Sequence, residues 1–176
     1  MTAETQAAPK VWRGRFYEDI DAGDVFRSRF GRTVSEYDNL LFTCLTLNTN
    51  SIHFDADYAS KTRFGQILVN SAFTLALITG MTVPDTSENA LANLEWTDIK
   101  LPNPVFVGDT LWAESEILEK RESRSNPDVG IVTMRCRGIN QRGEVVIEYR
   151  RTFMLQKAGA AAVEGRFPST DTEWTV

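Results

Sequence analysis

Apolar residues recur along this chain with two different periods, and the change falls near residue 90. Upstream the spacing is mostly helical. The turn Ala22-Gly23-Asp24 leads into a short strand predicted at residues 25–30. Thr33, followed three positions later by Glu36, reads as a capping box, because hydroxyl and carboxylate together satisfy free amides at a helix start. Leu40, Leu41, Cys44, Leu45 and Leu47 then mark one apolar face at roughly helical spacing. That helix should end near Leu47, since Asn48-Thr49-Asn50-Ser51 favour turns and local backbone bonding. Asp55 is placed to cap a second short helix at residues 56–61, which Gly65 terminates. Residues 69–81 are apolar on nearly every side (Ala72, Phe73, Leu75, Ala76, Leu77, Ile78), and a helix of that kind must be enclosed.

Downstream the period becomes two. A strand predicted at residues 94–101 stops at Pro102 and Pro104, and Gly108-Asp109 makes the next turn. Residues 110–121 alternate, with Leu111, Ala113, Ser115 and Ile117 opposite Trp112, Glu114 and Glu116. A hairpin loop at 123–130, a strand at 131–139, a turn at 140–143 and a strand at 144–155 complete an antiparallel meander. Val145, Ile147, Tyr149, Phe153 and Leu155 share one face of the last strand. One helix wrapped by one curved sheet accounts for the whole order, an α+β plan.

Composition narrows the function classes. The 176 residues fit one domain of ordinary globular make-up, read as residues 16–157 between flexible tails at 1–15 and 158–176. Phe167 and Trp174 are the aromatics of the second tail. The net charge of −5 argues against nucleic acid, which needs clustered cations. The densest basic spot, residues 120–124, also holds Glu122 and reads as a solvated hairpin face. No stretch is long and apolar enough to suggest a membrane span or a signal peptide. Cys44 and Cys136 read as small buried hydrophobes, and no CxxC or His/Cys cluster has metal-ligand spacing, so no metal is expected. A cytoplasmic setting is the default.

Taken in order, the segments YEDIDAGDVF, GRTVSEYDN, NTNSIHFDADYA, FGQILVNSAFTLAL and LPNPVFVGDTL make the chain resemble the MaoC-like dehydratases and R-specific enoyl-CoA hydratases. The likeness covers roughly residues 17–155. It implies a hot-dog fold, a curved antiparallel sheet around a central buried helix. It also implies an acyl-CoA thioester as substrate, no cofactor beyond the coenzyme A carried by that substrate, and at least a homodimer, since one such sheet leaves an open strand edge. The family's motif Asp-x-Asn-Pro-x-His falls on Asn48, Asn50, Ser51 and His53, so Asn48 stands where the family has aspartate. Ser71 stands at the position of the usual glycine at the central helix start, and Thr79 at a hydroxyl position that faces the site in some relatives.

The chemistry of these residues agrees with that reading. His53 is the only histidine, and imidazole both takes and returns a proton near neutral pH. Asn48 cannot act as a base, but its amide can hold water or a carboxylate. Asn70 reads as a helix cap, and the amides of Ser71 and Ala72 at that helix start could stabilise a thioester oxygen as it gains charge. Asp55 and Asp57 suit the first turn of the short helix. Ser51 lies near His53, but no Gly-x-Ser-x-Gly elbow supports a nucleophile. Reversible hydration of an α,β-unsaturated acyl thioester, branched or dicarboxylic among the options, is therefore expected. A thioester-binding subunit without catalysis is the alternative. A thioesterase would call for a carboxylate on the central helix, and residues 69–81 contain none.

Overall fold

The computed structural model describes residues 12–160. The two ends, residues 1–11 and 161–176, with most of the expected tails and Trp174, lie outside the described residues. The nearer end of the first expected tail is tied down: Trp12 Nε1 donates to Glu88 at 2.8 Å, and Asn89 Nδ2 donates to the carbonyls of Arg13 and Arg15 at 2.8 and 3.1 Å.

Two short strands, β1 (Val25–Arg27) and β2 (Arg32–Thr33), precede three helices, α1 (Glu36–Leu45), α2 (Ala56–Ser60) and α3 (Ser71–Thr86). Four long strands follow: β3 (Ala90–Lys100), β4 (Thr110–Glu122), β5 (Val129–Asn140) and β6 (Val145–Gln156). They form one antiparallel sheet in the order β1-β4-β5-β6-β3, with β2 also on β4. Three register shifts along the β3–β6 pair, and one each in β4–β5 and β5–β6, let the sheet bend, since an extra residue on one strand adds local twist and curvature. The concave face carries Leu111, Ala113, Ile117, Val132, Met134, Ile147, Phe153 and Leu155 as core. The alternation along β4 and β6 places Leu111, Ala113, Ile117, Ile147, Tyr149, Phe153 and Leu155 as the sequence pattern predicts, but at the register shift near the start of β6 Val146 is buried in place of Val145.

Helix α3 lies on this face and departs from expectation in two ways. It runs five residues beyond Met81, through Pro84, which costs one hydrogen bond but sits in the last turn. It is also covered on one side only. Its buried residues are Thr74, Ile78, Thr82 and Thr86, one every turn, whereas Ser71, Ala72, Ala76 and Gly80 face outward. The three threonine hydroxyls bond back to carbonyls of their own helix, of Asn70, Thr79 and Thr82, so a polar stripe can lie flat on an apolar sheet. Gly138 makes the close approach possible: a Cβ there would stand 2.7 Å from Ile78 Cγ1.

Helix α1 reverses the expected face. Its buried residues are Asn39 and Thr43, while Leu40, Leu41, Cys44 and Leu45 are exposed, as is Leu47 beyond its end. Cys44 is therefore not a buried hydrophobe; Cys136, 2% exposed, is. The helix starts one register later than Thr33 and Glu36 suggest. Ser35 accepts from the Asp38 amide at 3.2 Å and Asp38 reaches back to the Ser35 amide at 2.8 Å, because Thr33 is held in β2 against Thr110. The helix ends at Leu45, and Leu47 takes a positive φ of 54°. Lys120 is not a solvated side chain either. Its ammonium donates to the carbonyls of Tyr17 and Ile20 at 3.2 and 2.6 Å.

Candidate active site

His53 closes a single 3-10 turn (Ser51–His53) that Asn50 caps through its side chain, as its place in a turn-favouring run suggests. The turn is laced to the chain ahead of α3: the Leu68 amide donates to Ile52 O at 3.1 Å and the Val69 amide to Val105 O at 2.9 Å. This brings the Leu68 carbonyl within 2.8 Å of His53 Nδ1. A carbonyl oxygen only accepts, so Nδ1 carries the proton and, in the neutral ring, the lone pair sits on Nε2. The imidazole is 9% exposed and held in one orientation. Asp55 caps α2 through the Tyr58 amide, and Asp57 pairs with Lys61, so both acids serve that helix.

Asn39 joins the two halves of the site. Its Nδ2 donates to the His53 carbonyl at 2.7 Å, and its Oδ1 accepts from the Asn70 amide at 2.9 Å. At 1% exposure this side chain sets the spacing between the histidine turn and the start of α3. Asn70 in turn donates to Thr43 at 3.3 Å and caps α3. Sequence reasoning missed Asn39. The signal was present as two uncharged polar residues, Asn39 and Thr43, one turn apart and flanking the apolar run Leu40-Leu41-Phe42.

Three expected site residues are placed more narrowly than the sequence suggested. The Ala72 amide is not free: Asn70 Oδ1 accepts from it at 3.0 Å. The Ser71 amide, by contrast, finds no acceptor among the described residues, as expected for the first residue of a helix. Thr79 faces the sheet, 2.9 Å from the Tyr149 hydroxyl, and so belongs to the core. Burial, reinforced by neighbouring Cys136, pushes the Tyr149 phenol well above its usual range, so it stays protonated there. Asn48 spends its Oδ1 on the Asn50 amide at 3.0 Å, while its Nδ2 has no acceptor among the described residues. It can offer water or a substrate oxygen a donor, not a base.

A cavity of about 210 Å³ opens beside the start of α3, lined by Arg63, Phe64, Leu68, Ser71, Thr74 and the 101–105 segment, with neither His53 nor Asn48 in its wall. A second groove of about 400 Å³ runs between residues 28–32 and α3, past Phe42, Phe73, Leu77 and Met81. A larger concavity, about 570 Å³, lies elsewhere, on a sheet face crossed by ion pairs such as Arg137–Glu114; Cys136 and Tyr149 line it, and His53, Asn48, Asn39, Asn70 and Ser71 do not. The helix extension does add a carboxylate to α3, Asp85, but it is about 21 Å along the axis from Ser71 at 1.5 Å per residue. Among the described residues no group of three or more His, Cys, Asp or Glu could hold a metal ion, and no helix is long and apolar enough to cross a membrane.

A family model described as mesaconyl-CoA hydratase matches residues 3–175. The chain is 37% identical over 153 residues to the mesaconyl-CoA hydratase of Cereibacter sphaeroides, covering 87% of this chain and 44% of that protein. It thus spans less than half the length of this relative. Among solved structures, a MaoC-domain dehydratase protein from Chloroflexus aurantiacus superposes with a TM-score of 0.80 at 29% identity, over 95% of this chain and 46% of that one. A Mycobacterium tuberculosis protein described as a double hot-dog fold matches at TM-score 0.77 and 19% identity, over 92% of this chain and 53% of that one, which supports the fold alone. A curved antiparallel sheet over one long helix is the fold this chain shares with them, and the chain belongs to the mesaconyl-CoA hydratase family of MaoC-like hot-dog proteins.

Proposed function

We infer that this chain adds water reversibly across the double bond of a branched, dicarboxylic enoyl-CoA of the mesaconyl type. The observation that carries the reading is the bond from His53 Nδ1 to the Leu68 carbonyl, which leaves a lone pair on Nε2 in a turn pinned, through Asn39, to the first residues of α3. In hydration, Nε2 takes a proton from water as the water oxygen bonds to the β-carbon. Electrons of the double bond move toward the thioester oxygen, where the Ser71 amide stabilises the developing charge. The imidazolium then returns a proton to the α-carbon, so no net proton is consumed. Asn48 Nδ2 orients the water by donating to its oxygen. Dehydration is the same path reversed. The substrate class comes from the family and from the 37% identical relative's name.

A homodimer and a cytoplasmic setting complete the proposal. Relatives about twice as long, one described as a double hot dog, support the first, together with the unpaired outer edge of β3. Free Cys44 on the surface is compatible with the second. A panel of mono- and dicarboxylic enoyl-CoA thioesters, followed by double-bond absorbance and free thiol, tests the activity. Loss of absorbance without thiol is expected. Thiol release would indicate a thioesterase, and binding without either change a thioester-binding subunit. His53→Ala should keep the fold and lower hydration at least ~100-fold, the low end of a general acid/base contribution; turnover within a few-fold of wild type would remove His53 from the mechanism.

A further inference from the structure

The cavity beside Ser71 has an unusual charge balance for a protein of net charge −5 with 24 acidic residues. No Asp or Glu lines it, and its single charged side chain is Arg63. Arg63 makes no salt bridge among the described residues, whereas nearby Lys61 is paired with Asp57. The guanidinium is exposed, yet it does not hang free: its Cζ lies 4.7 Å from the ring centroid of Phe64. Phe64 packs edge-on against Phe106 at 6.4 Å, and Asp109 holds the Phe106 amide at 3.0 Å. A stacked guanidinium keeps its fork of donors while losing part of its rotational freedom, which suits it to bidentate recognition of a planar anion. The other lining groups are chiefly apolar, Phe64, Leu68, Val69, Pro102, Pro104 and Val105.

We propose that Arg63 is the specificity residue for the acyl group, binding the free carboxylate of a short dicarboxylic acyl-CoA while the Ser71 amide takes its thioester carbonyl. The proposal rests on the hydratase reading above, since it places the acyl group in this cavity. An apolar cavity with one fixed cation at its wall selects against chains that end in a methyl, because they leave the guanidinium unpaired, and favours those that end in a carboxylate.

The test is a ratio. Wild type, Arg63→Lys and Arg63→Met are compared for kcat/KM on mesaconyl-CoA and on crotonyl-CoA, a monocarboxylic acyl group of similar length. In Arg63→Met the dicarboxylic-to-monocarboxylic ratio should fall about 10- to 100-fold, the worth of a charge-assisted hydrogen-bonded pair, chiefly through KM for mesaconyl-CoA. Arg63→Lys should fall between, having the charge without the fork. A ratio unchanged within twofold overturns the proposal: equal loss on both substrates would make Arg63 a grip on the coenzyme A phosphates, and loss on neither would put it outside the site. The same ratio is read by calorimetry from the affinities for methylsuccinyl-CoA and butyryl-CoA, which undergo no hydration. If wild type hydrates neither enoyl-CoA, the hydratase reading falls on that result, while the calorimetric ratio still decides for or against Arg63.

Discussion

At the scale of single residues, the site depends on an amide that touches no reacting atom. Asn39 bonds a carbonyl on one side and an amide on the other, at 2.7 and 2.9 Å, inside the protein. Removing it leaves two buried backbone groups unpaired, each costing about 1–3 kcal/mol. Asn39→Ala should therefore lower stability by about 2–6 kcal/mol on that basis. Asn39→Asp is the sharper probe, because it keeps the acceptor for Asn70 and sets a carboxylate against the His53 carbonyl. Its expected mark is a lower kcat with little change in KM, as the histidine turn moves relative to α3; a proportional change in both would assign Asn39 to stability alone. Leu47 is the opposite case. It holds φ at 54° while 85% exposed, so its side chain gains little in return for a left-handed backbone. Leu47→Gly should raise stability by up to ~1 kcal/mol, seen as a higher Tm. A fall in Tm would mean that the leucine side chain is packed in the working protein.

Among elements, the turn between the 101–105 segment and β4 supports the site from behind. Asp109 is buried, and it accepts from the Phe106 amide at 3.0 Å, Gln141 Nε2 at 2.7 Å and Arg142 Nη1 at 2.8 Å. Burial alone pushes its carboxyl up, but the bonds from Arg142, Phe106 and Gln141 outweigh that and hold it below the usual aspartate range. The folded pKa is depressed, so its contribution is fully present above the ordinary value of ~3.9 and is lost as pH falls below that toward the folded value. Asp109→Asn should cost about 2–3 kcal/mol at neutral pH, the scale of hydrogen bonds to a charged group, and should flatten the acid side of the stability profile below pH ~4. Denaturant melts at pH 7 and pH 3 check this. An acid slope as steep in the variant as in wild type would move the acid sensitivity elsewhere. Since Phe106 backs Phe64, the same variant should also loosen the cavity wall.

For the whole molecule, the uncovered surfaces belong together. Strand β3 pairs only with β6, and its other edge is open, with Leu91, Leu94, Trp96 and Ile99 exposed along it. Long open edges bearing large apolar side chains invite pairing with another chain. The outward face of α3, Ala72, Ala76 and Gly80, is made of small residues, and the apolar face of α1 is likewise bare. A homodimer should therefore appear in sedimentation at micromolar concentration, and Leu94→Lys should shift it toward monomer. A stable wild-type monomer with full activity would refute the dimer and leave the fold untouched.

Local pattern by itself determined most of the architecture. Alternation along β4 and β6 determined which side chains face the core, because a strand offers only two sides and one is wet. Turn residues marked the hairpins, and the lone histidine marked the candidate site, since few other side chains exchange protons near neutral pH. Tertiary structure alone decided what a helix face meets. The leucines of α1 were legible as a stripe, yet they lie outward and Asn39 inward, because the inner position must satisfy two backbone groups, and periodicity carries no information about such demands. Likewise Ser35 took the cap from Thr33 once β2 claimed Thr33 for the sheet, and Thr79 went to Tyr149, seventy residues away. The Leu68 carbonyl acquired its role through a hydrogen bond to His53, fifteen residues away, which only the folded chain brings within reach.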